Sequence, residues 1–234
     1  MLFHAEIDVP ALKAAIEKSF EADYPKLDAL YKEIHAHPEL AFQEVKTAAK
    51  LAAEMRALGF DVTEKVGRTG LVAIYKNGDG PTIMVRTELD ALPMEEKTGL
   101  DYASRDKTNW NGREVFVAHS CGHDIHMASW VGTAKTLLGL KDQWRGTLMF
   151  IAQPAEEIGA GAMTGCCSVL QNVPQGRPLV GIRAGCSYRS RRKCDVRHPE
   201  SFSGKGERSQ VGRRCPAQTP WGNHGFPEDS NIFM

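Results

Sequence analysis

The first 165 residues of this 234-residue chain predict an α/β fold, with a mixed sheet covered by helices on both faces. Two observations support this prediction. Segments with a helical spacing of apolar residues alternate with short, continuous apolar runs, and glycine, asparagine and proline lie at the junctions between them. Strands that alternate with helices are typical of a sheet packed against helical layers.

Three helices are predicted before the first strand. Residues 11–22 place their apolar side chains nearly on one face, and a second helix occupies residues 25–34 because Pro25 suits a first helical turn. The third helix covers residues 43–58, and Gly59 stands where a C-terminal cap belongs.

Strands are predicted at residues 60–65, 70–75 and 82–87, with a turn at residues 77–80. The third strand is continuously apolar and ends just before Glu88. A helix at residues 124–138 follows. The last predicted element is a buried strand at residues 147–152, which leads directly into a pair of glutamates.

Three polar segments follow or precede these elements, at residues 86–93, 118–126 and 153–157. Cysteine, histidine and glutamate together suit a divalent metal such as zinc or manganese. In metal-assisted hydrolysis, one of two adjacent glutamates holds the metal and its neighbour takes a proton from water. Since ligands of open α/β sheets bind at strand ends, the three segments indicate a metallohydrolase.

Each segment also has a structural interpretation. Asp124 is a candidate N-cap beside a buried cysteine, and the glutamate pair is typical of a solvated helix start. Residues 90–93 form an ordinary turn sequence. The joint occurrence of the three segments favours the catalytic interpretation.

The chain resembles the amidohydrolase branch of the aminoacylase and carboxypeptidase-type metallopeptidases, which includes hippurate hydrolases and N-acyl-amino-acid (including indole-acetyl-amino-acid) amidohydrolases. Five segments carry the resemblance in the family's order and spacing. They are residues 35–40 with Glu44 and Thr47, 86–93, 96–100 with 102–104, 119–126 and 153–157. Glu88 departs from the family, which often has aspartate there, but the carboxylate is retained.

The resemblance implies that Cys121, His123 and Glu157 bind the metal and that Glu156 is the general base. Asp90 matches an acidic position of the family and is expected to orient a ligand. In an extended or loop segment, the side chains of Cys121 and His123 would point to the same side. The implied cofactor is zinc or manganese, with two ions in many members.

The remaining polar residues of these segments are interpreted as supports. His126 and Asp124 are expected to be structural or to contact ligands, and His35, Glu39 and Glu44 to be structural. The implied reaction is attack of water on the amide carbonyl of an N-acyl amino acid, a small-molecule substrate. Members of the family are often homo-oligomers, but their dimerisation domain is not recognisable in this sequence.

The composition changes near Gly165. Residues 166–234 hold eleven basic and five acidic residues, a balance of +6, and five of the six cysteines. Residues 1–165 have the opposite balance, −6. We therefore predict a catalytic-domain portion at residues 1–165 and a non-homologous, frameshifted or disordered tail at 166–234, whose composition is too polar to bury a core.

A shifted reading frame is the preferred origin of the tail. Residues 172–178, read one nucleotide later, can encode Thr-Phe-Pro-Lys-Ala-Asp, which resembles the family's next segment, although no codon choice yields histidine at Arg183. A zinc-ribbon or nucleic-acid-binding tail is the rival, favoured by the basic balance. The cysteine spacing lacks paired Cys-x2-Cys knuckles, so a nucleic-acid partner is not predicted.

The sequence further predicts a cytoplasmic protein with reduced thiols and no membrane partner, since it shows neither a leader pattern nor a long apolar run. Two functions compete. The first is a metal-dependent amidohydrolase, and the second is a non-catalytic remnant that binds metal weakly. Because later ligands and a lid domain are not recognisable, we expect low catalytic activity.

Overall fold

The computed structural model describes residues 8–162 and the backbone of residues 179–183. In chain order the elements are α1 (Val9–Ala36), α2 (Val45–Ala57), β1 (Asp61–Val66), β2 (Gly70–Asn77), β3 (Thr82–Glu88), β4 (Lys107–Trp110), β5 (Arg113–Phe116), α3 (His123–Gly139), β6 (Gly146–Gln153) and β7 (Leu179–Arg183). A short 3-10 helix, Lys141–Gln143, joins α3 to β6.

Five strands form a mixed sheet in the order β1-β2-β6-β3-β7. Strand β2 is antiparallel to β1 and β6, whereas β3 is parallel to β6 and β7. The register of β3 and β6 places Glu88 opposite Gln153, the last residue of each strand. The segments that follow both strands therefore begin at the same edge of the sheet.

Helices α2 and α3 pack against one face of the sheet, and α1 packs against α3. Trp130 of α3 is fully buried there, and its indole nitrogen donates a hydrogen bond to the carbonyl oxygen of Val85, 3.2 Å away. The opposite face carries a smaller cluster around Val72 and Met149. The α/β class and the mixed sheet are confirmed. Helical cover is present on one face among the residues that the structure describes.

Helix α1 is continuous, so the prediction of two helices at residues 11–22 and 25–34 is wrong. Pro25 lies inside the helix. It removes one backbone donor, but it is exposed, so water can satisfy the carbonyl group that loses its partner. Beyond Pro25, Leu27, Leu30 and Ile34 are buried, and their packing holds the second half of the helix in place.

The hairpin β4–β5 is absent from the sequence prediction. Its two-residue turn, Asn111-Gly112, has positive φ at both positions, 53° and 80°. This conformation defines a type I′ turn, for which Asn-Gly is the preferred pair. The dipeptide was therefore the available signal for the hairpin, whose strands are only four residues long.

Strand β7 lies within the predicted irregular tail. Its five residues pair with β3 in parallel register, from Thr82 opposite Leu179 to Arg86 opposite Arg183. An irregular backbone is therefore the wrong expectation for these residues. The rest of the predicted tail lies outside the described residues. Within the described part of the chain, no helix is long and apolar enough to cross a membrane.

Candidate metal centre

The candidate site lies where β3 and β6 end and α3 begins. Asp90 comes two residues after β3, and Glu156 and Glu157 follow β6. His123 is the first residue of α3. Because β3 and β6 are parallel and in register, their ends bring these acidic residues together beside the helix start.

His123 is the centre of this arrangement. Its Nε2 atom lies 3.9 Å from a carboxylate oxygen of Glu156 and 3.8 Å from one of Glu157. Its Nδ1 atom lies 2.7 Å from the backbone carbonyl oxygen of Asp90. Since a carbonyl oxygen can only accept, Nδ1 carries the proton, and in a neutral ring the lone pair of Nε2 faces the two carboxylates.

Asp90 connects the three other residues. Its side chain is fully buried, and its two carboxylate oxygens accept the backbone N–H groups of Glu156 and Glu157, each at 2.9 Å. Burial raises the pKa of Asp90 to about 6, and the two amide hydrogen bonds only partly oppose this effect. One aspartate thus fixes the backbone of both glutamates and the ring of His123.

Cys121 lies at the rim of the site and is exposed. Its thiol is hydrogen-bonded to Glu157, and desolvation together with this bond raises its pKa to about 12. The expected extended segment is not observed, because Gly122 has a φ of 77° and His123 already belongs to α3. The turn at Gly122, rather than strand-like alternation, directs the two side chains.

Among the described residues, two groups of side chains are close enough to hold a metal ion. In each group the candidate ligand atoms lie within 4.8 Å of one another: His123 with Glu156 and Glu157, and His123 with Glu88 and His126. Neither group includes Cys121.

The group with Glu156 and Glu157 is the better cation site. In the other group, a guanidinium nitrogen of Arg86 lies 2.6 Å from Glu88 and already supplies a positive charge. By contrast, Oε1 of Glu157 is buried and has no hydrogen-bond partner among the described residues. A buried carboxylate oxygen without a donor is costly, and a cation would satisfy it.

Two buried residues near the site were not assigned a functional role by the sequence. Glu44 is completely buried, and one of its oxygens accepts the backbone N–H of Ala155 at 2.8 Å. His119 is also buried, and neither ring nitrogen has a partner among the described residues. Burial lowers the pKa of His119 to about 4, which favours the neutral ring. The only available signal was their position in matching segments, since burial cannot be read from residue type.

A second cluster of buried side chains contacts the first turn of α3. His35 of α1 lies 2.6 Å from a carboxylate oxygen of Asp124 and 3.0 Å from one of Glu96. Asp124 is in the first turn of α3, and Gly122 occupies the N-cap position, so the alternative interpretation of Asp124 as the N-cap is wrong. The helix start is held by this cluster instead.

Comparison with known proteins agrees with these observations. Residues 84–196 match the model of Peptidase family M20/M25/M40. The chain is 40% identical over 145 residues to N-acetylcysteine deacetylase of Bacillus subtilis, covering 61% of this chain and 36% of that protein. It is 36% identical over 138 residues to hippurate hydrolase of Campylobacter jejuni, covering 58% of this chain and 33% of that protein.

Among solved structures, the chain resembles the Bacillus subtilis YXEP protein, described as a dinuclear metal-binding peptidase of family M20. The TM-score is 0.59 and the sequence identity 36%, with 69% of this chain and 43% of that chain covered. The family match continues to residue 196, beyond Gly165, where the recognisable motifs end. The chain spans about a third of the length of the curated relatives it matches. Residues 84–196 are therefore similar to Peptidase family M20/M25/M40, and the chain corresponds to only part of the relatives it matches.

Proposed function

We propose that the chain carries part of a metal-dependent hydrolase that cleaves the amide bond of N-acyl amino acids. The observation that carries the proposal is the convergence of Glu156 and Glu157 on Nε2 of His123. Hydrogen bonding to Asp90 fixes the opposite nitrogen of that ring as the protonated one. This leaves a nitrogen lone pair and two carboxylates around one point, which favours a cation there.

The metal ligands in this proposal are Cys121, His123 and Glu157. Sulfur, nitrogen and carboxylate oxygen suit zinc and also manganese. The buried Oε1 of Glu157, which has no hydrogen-bond partner among the described residues, suits a bound cation. A divalent metal bound there supplies Lewis acidity toward an amide carbonyl and lowers the pKa of water. The low acidity of the free Cys121 thiol means that its binding to a metal releases a proton.

Glu156 is the proposed proton acceptor. Its side chain is partly buried, and its backbone is held by Asp90, so its carboxylate stays beside His123 while remaining open to a substrate. Glu157 lies deeper, with a side chain that is 15% exposed against 31% for Glu156. The deeper carboxylate therefore suits metal binding, and the more exposed one suits proton transfer.

The substrate class is proposed from the relatives. Their names include a deacetylase of N-acetylcysteine and a hydrolase of hippurate, both of which are N-acyl amino acids. We propose the same class for this protein, without choosing the acyl group. A cytoplasmic location is part of the proposal, because a reducing compartment keeps the Cys121 thiol free to bind a metal.

The proposal is tested by comparing the unchanged chain with Glu156→Gln. The chain is loaded with zinc, manganese or cobalt and supplied with N-acetylcysteine or hippurate, and released amino acid is measured. We expect Glu156→Gln to lower the rate by about 100-fold or more, as for loss of a general base, while the bound metal per chain stays the same.

A matched control is Glu114→Gln on β5, an exposed glutamate paired with Lys107. It should alter neither rate nor metal content. Metal binding without any metal-dependent hydrolysis by the unchanged chain would favour the non-catalytic alternative. Unchanged metal content in both Cys121→Ala and His123→Ala would contradict the proposed ligands.

A further inference from the structure

We propose that Glu44 is a positioning residue that holds the backbone of the Glu156-Glu157 segment in the conformation needed for metal binding. This inference rests on the proposed function, because it assumes that Glu157 is a ligand. Glu44 lies just before α2, 111 residues away from Ala155 in sequence. It touches neither metal nor substrate in this scheme and acts through the chain that carries the glutamates.

The contacts of Glu44 join three separate segments. Its side chain is fully buried, directly before α2. One carboxylate oxygen accepts the N–H of Ala155 at 2.8 Å, and the other accepts the hydroxyl of Thr69 at 2.5 Å. Thr69 belongs to the turn between β1 and β2. Both oxygens therefore have a donor, and the side chain is fixed at both ends.

The conformation of Ala155 explains why a buried acceptor is needed there. Ala155 has a φ of 49°, in the left-handed region that residues other than glycine rarely adopt. It has no side-chain polar group that could stabilise this conformation, and it is fully buried. Without Glu44, its N–H group would be buried without an acceptor.

Three successive N–H groups in this segment are bound by carboxylates. Ala155 donates to Glu44, and Glu156 and Glu157 donate to the two oxygens of Asp90. These three hydrogen bonds fix the backbone conformation of the segment. They thereby set the direction in which the side chains of Glu156 and Glu157 point. Loss of the first hydrogen bond allows Ala155 to return to an ordinary φ, which would turn Glu156 and Glu157 away from His123.

We expect glutamine at position 44 to preserve the positioning role of Glu44, and alanine to abolish it. The amide oxygen of glutamine can accept from Ala155, and its NH2 group can donate to the Thr69 hydroxyl. If the hydrogen bonds are what matters, Glu44→Gln therefore keeps the conformation and Glu44→Ala loses it. This rescue separates a positioning role from a requirement for negative charge.

The matched control is Glu39→Ala. Glu39 lies in the same segment, and its carboxylate accepts the N–H groups of Lys46 and Thr47 at the start of α2. Within the described part of the chain, the Glu39 carboxylate makes its hydrogen bonds to Lys46 and Thr47 and none to Ala155 or the glutamate pair. Both alanine variants remove a carboxylate that binds backbone amides, but only Glu44→Ala removes one that binds the segment carrying Glu156 and Glu157.

The experiment has two readouts on the full chain. Titration with cobalt, followed by its visible spectrum, measures metal affinity. We expect Glu44→Ala to weaken it by about 10–100-fold, as loss of a residue that supports a ligand does, and Glu44→Gln and Glu39→Ala to stay within about threefold. Hydrogen exchange of the metal-free protein measures protection of the Ala155 amide, which should be lost only in Glu44→Ala.

A folded Glu44→Ala with unchanged cobalt affinity and unchanged protection of Ala155 would overturn the inference, and so would Glu44→Gln as impaired as Glu44→Ala. If Glu44→Ala does not fold, Thr69→Val removes only the hydroxyl bound to Glu44 and should still weaken cobalt binding while Glu39→Ala does not. Failure of the unchanged chain to bind cobalt would overturn the proposed function, whereas the exchange readout would still decide whether Glu44 holds the segment.

Discussion

At the scale of single residues, the site is built from carboxylates that are satisfied by backbone amides. Asp90 and Glu44 are fully buried, and both bind N–H groups of the segment after β6. Amide donors satisfy the hydrogen-bonding capacity of a carboxylate without cancelling its charge. The negative potential around His123 therefore persists, and it favours a divalent cation over a neutral ligand.

His35 is the residue whose ionisation should control stability near neutral pH. Burial lowers its pKa, but hydrogen bonds to Glu96 and Asp124 outweigh burial, so the pKa lies above its usual value. The rings of Tyr31 and Tyr102 also contact it. A raised folded-state pKa adds stability below the unfolded value, about 6.5, and this contribution is lost as pH rises through the folded value.

We therefore predict that His35→Gln lowers the free energy of unfolding by about 1–3 kcal/mol at pH 6, since a neutral side chain then replaces the protonated ring between the carboxylates of Glu96 and Asp124. The difference from the unchanged chain should shrink by pH 9. Urea denaturation at both pH values measures this. The control His37→Gln removes an exposed imidazole beside Asp106 and should cost less than about 1 kcal/mol at either pH. An equal effect of His35→Gln at both pH values would contradict a stabilising role of protonated His35.

Residue types could be read from the sequence at this site, but burial could not. Cysteine, histidine and paired glutamates are recognisable because few other functions need them together. Glu44 and Asp90 are ordinary acidic residues in the sequence, and their roles depend on contacts over 111 and 66 residues. Periodicity and propensity do not report such distant pairings.

At the scale of elements, the helices and strands with strong end signals were predicted best. Gly59 follows α2 with a φ of 85°, as expected for a C-terminal cap. The strands before Glu88 and before the glutamate pair were placed within one residue at each end, because both are continuous apolar runs between polar segments. Pro25 misled the prediction, since a single proline interrupts only one hydrogen bond of a helix.

The prediction at the scale of elements concerns Gly122, at the start of α3. Gly122 is its N-cap residue, with a φ of 77°, and a β-carbon at that position would meet no atom within 4 Å. Gly122→Ala therefore causes backbone strain without a steric clash, at a cost of about 1–2 kcal/mol. Because Cys121 and His123 flank it, relief of the strain should also displace them. We expect weaker cobalt binding, measured by spectral titration.

The control for this prediction is Gly112→Ala in the β4–β5 turn. Gly112 has a φ of 80° and equally open surroundings, so the cost in stability should be similar. It lies away from the site, and metal affinity should be unchanged. If both variants alter cobalt affinity to the same extent, the effect of Gly122→Ala is general destabilisation and not displacement of the ligands.

At the scale of the whole molecule, the parallel strands determine where chemistry can occur. β3 and β6 end together, α3 begins beside them, and residues distant in sequence meet at one edge. The mixed sheet was predictable from alternating patterns, whereas β7 was not. Five residues surrounded by polar sequence do not establish a period, and β7 is recognised only through its pairing with β3.

Strand β7 provides the last prediction, which concerns where the folded domain ends. A chain shortened after Gly165 would lose β7 and leave the edge of β3 unpaired, whereas a chain ending at residue 196, the limit of the family match, would keep it. Loss of the backbone hydrogen bonds between these strands should cost about 2 kcal/mol or more. For a domain of this size, that corresponds to a fall in Tm of about 4–8 °C.

An exposed strand edge also promotes association, so light scattering should rise for the shorter chain alone. Calorimetry and scattering of the two chains, with the full chain as reference, test this. Equal Tm and equal scattering would instead support a domain boundary at Gly165 and show that β7 adds no stability.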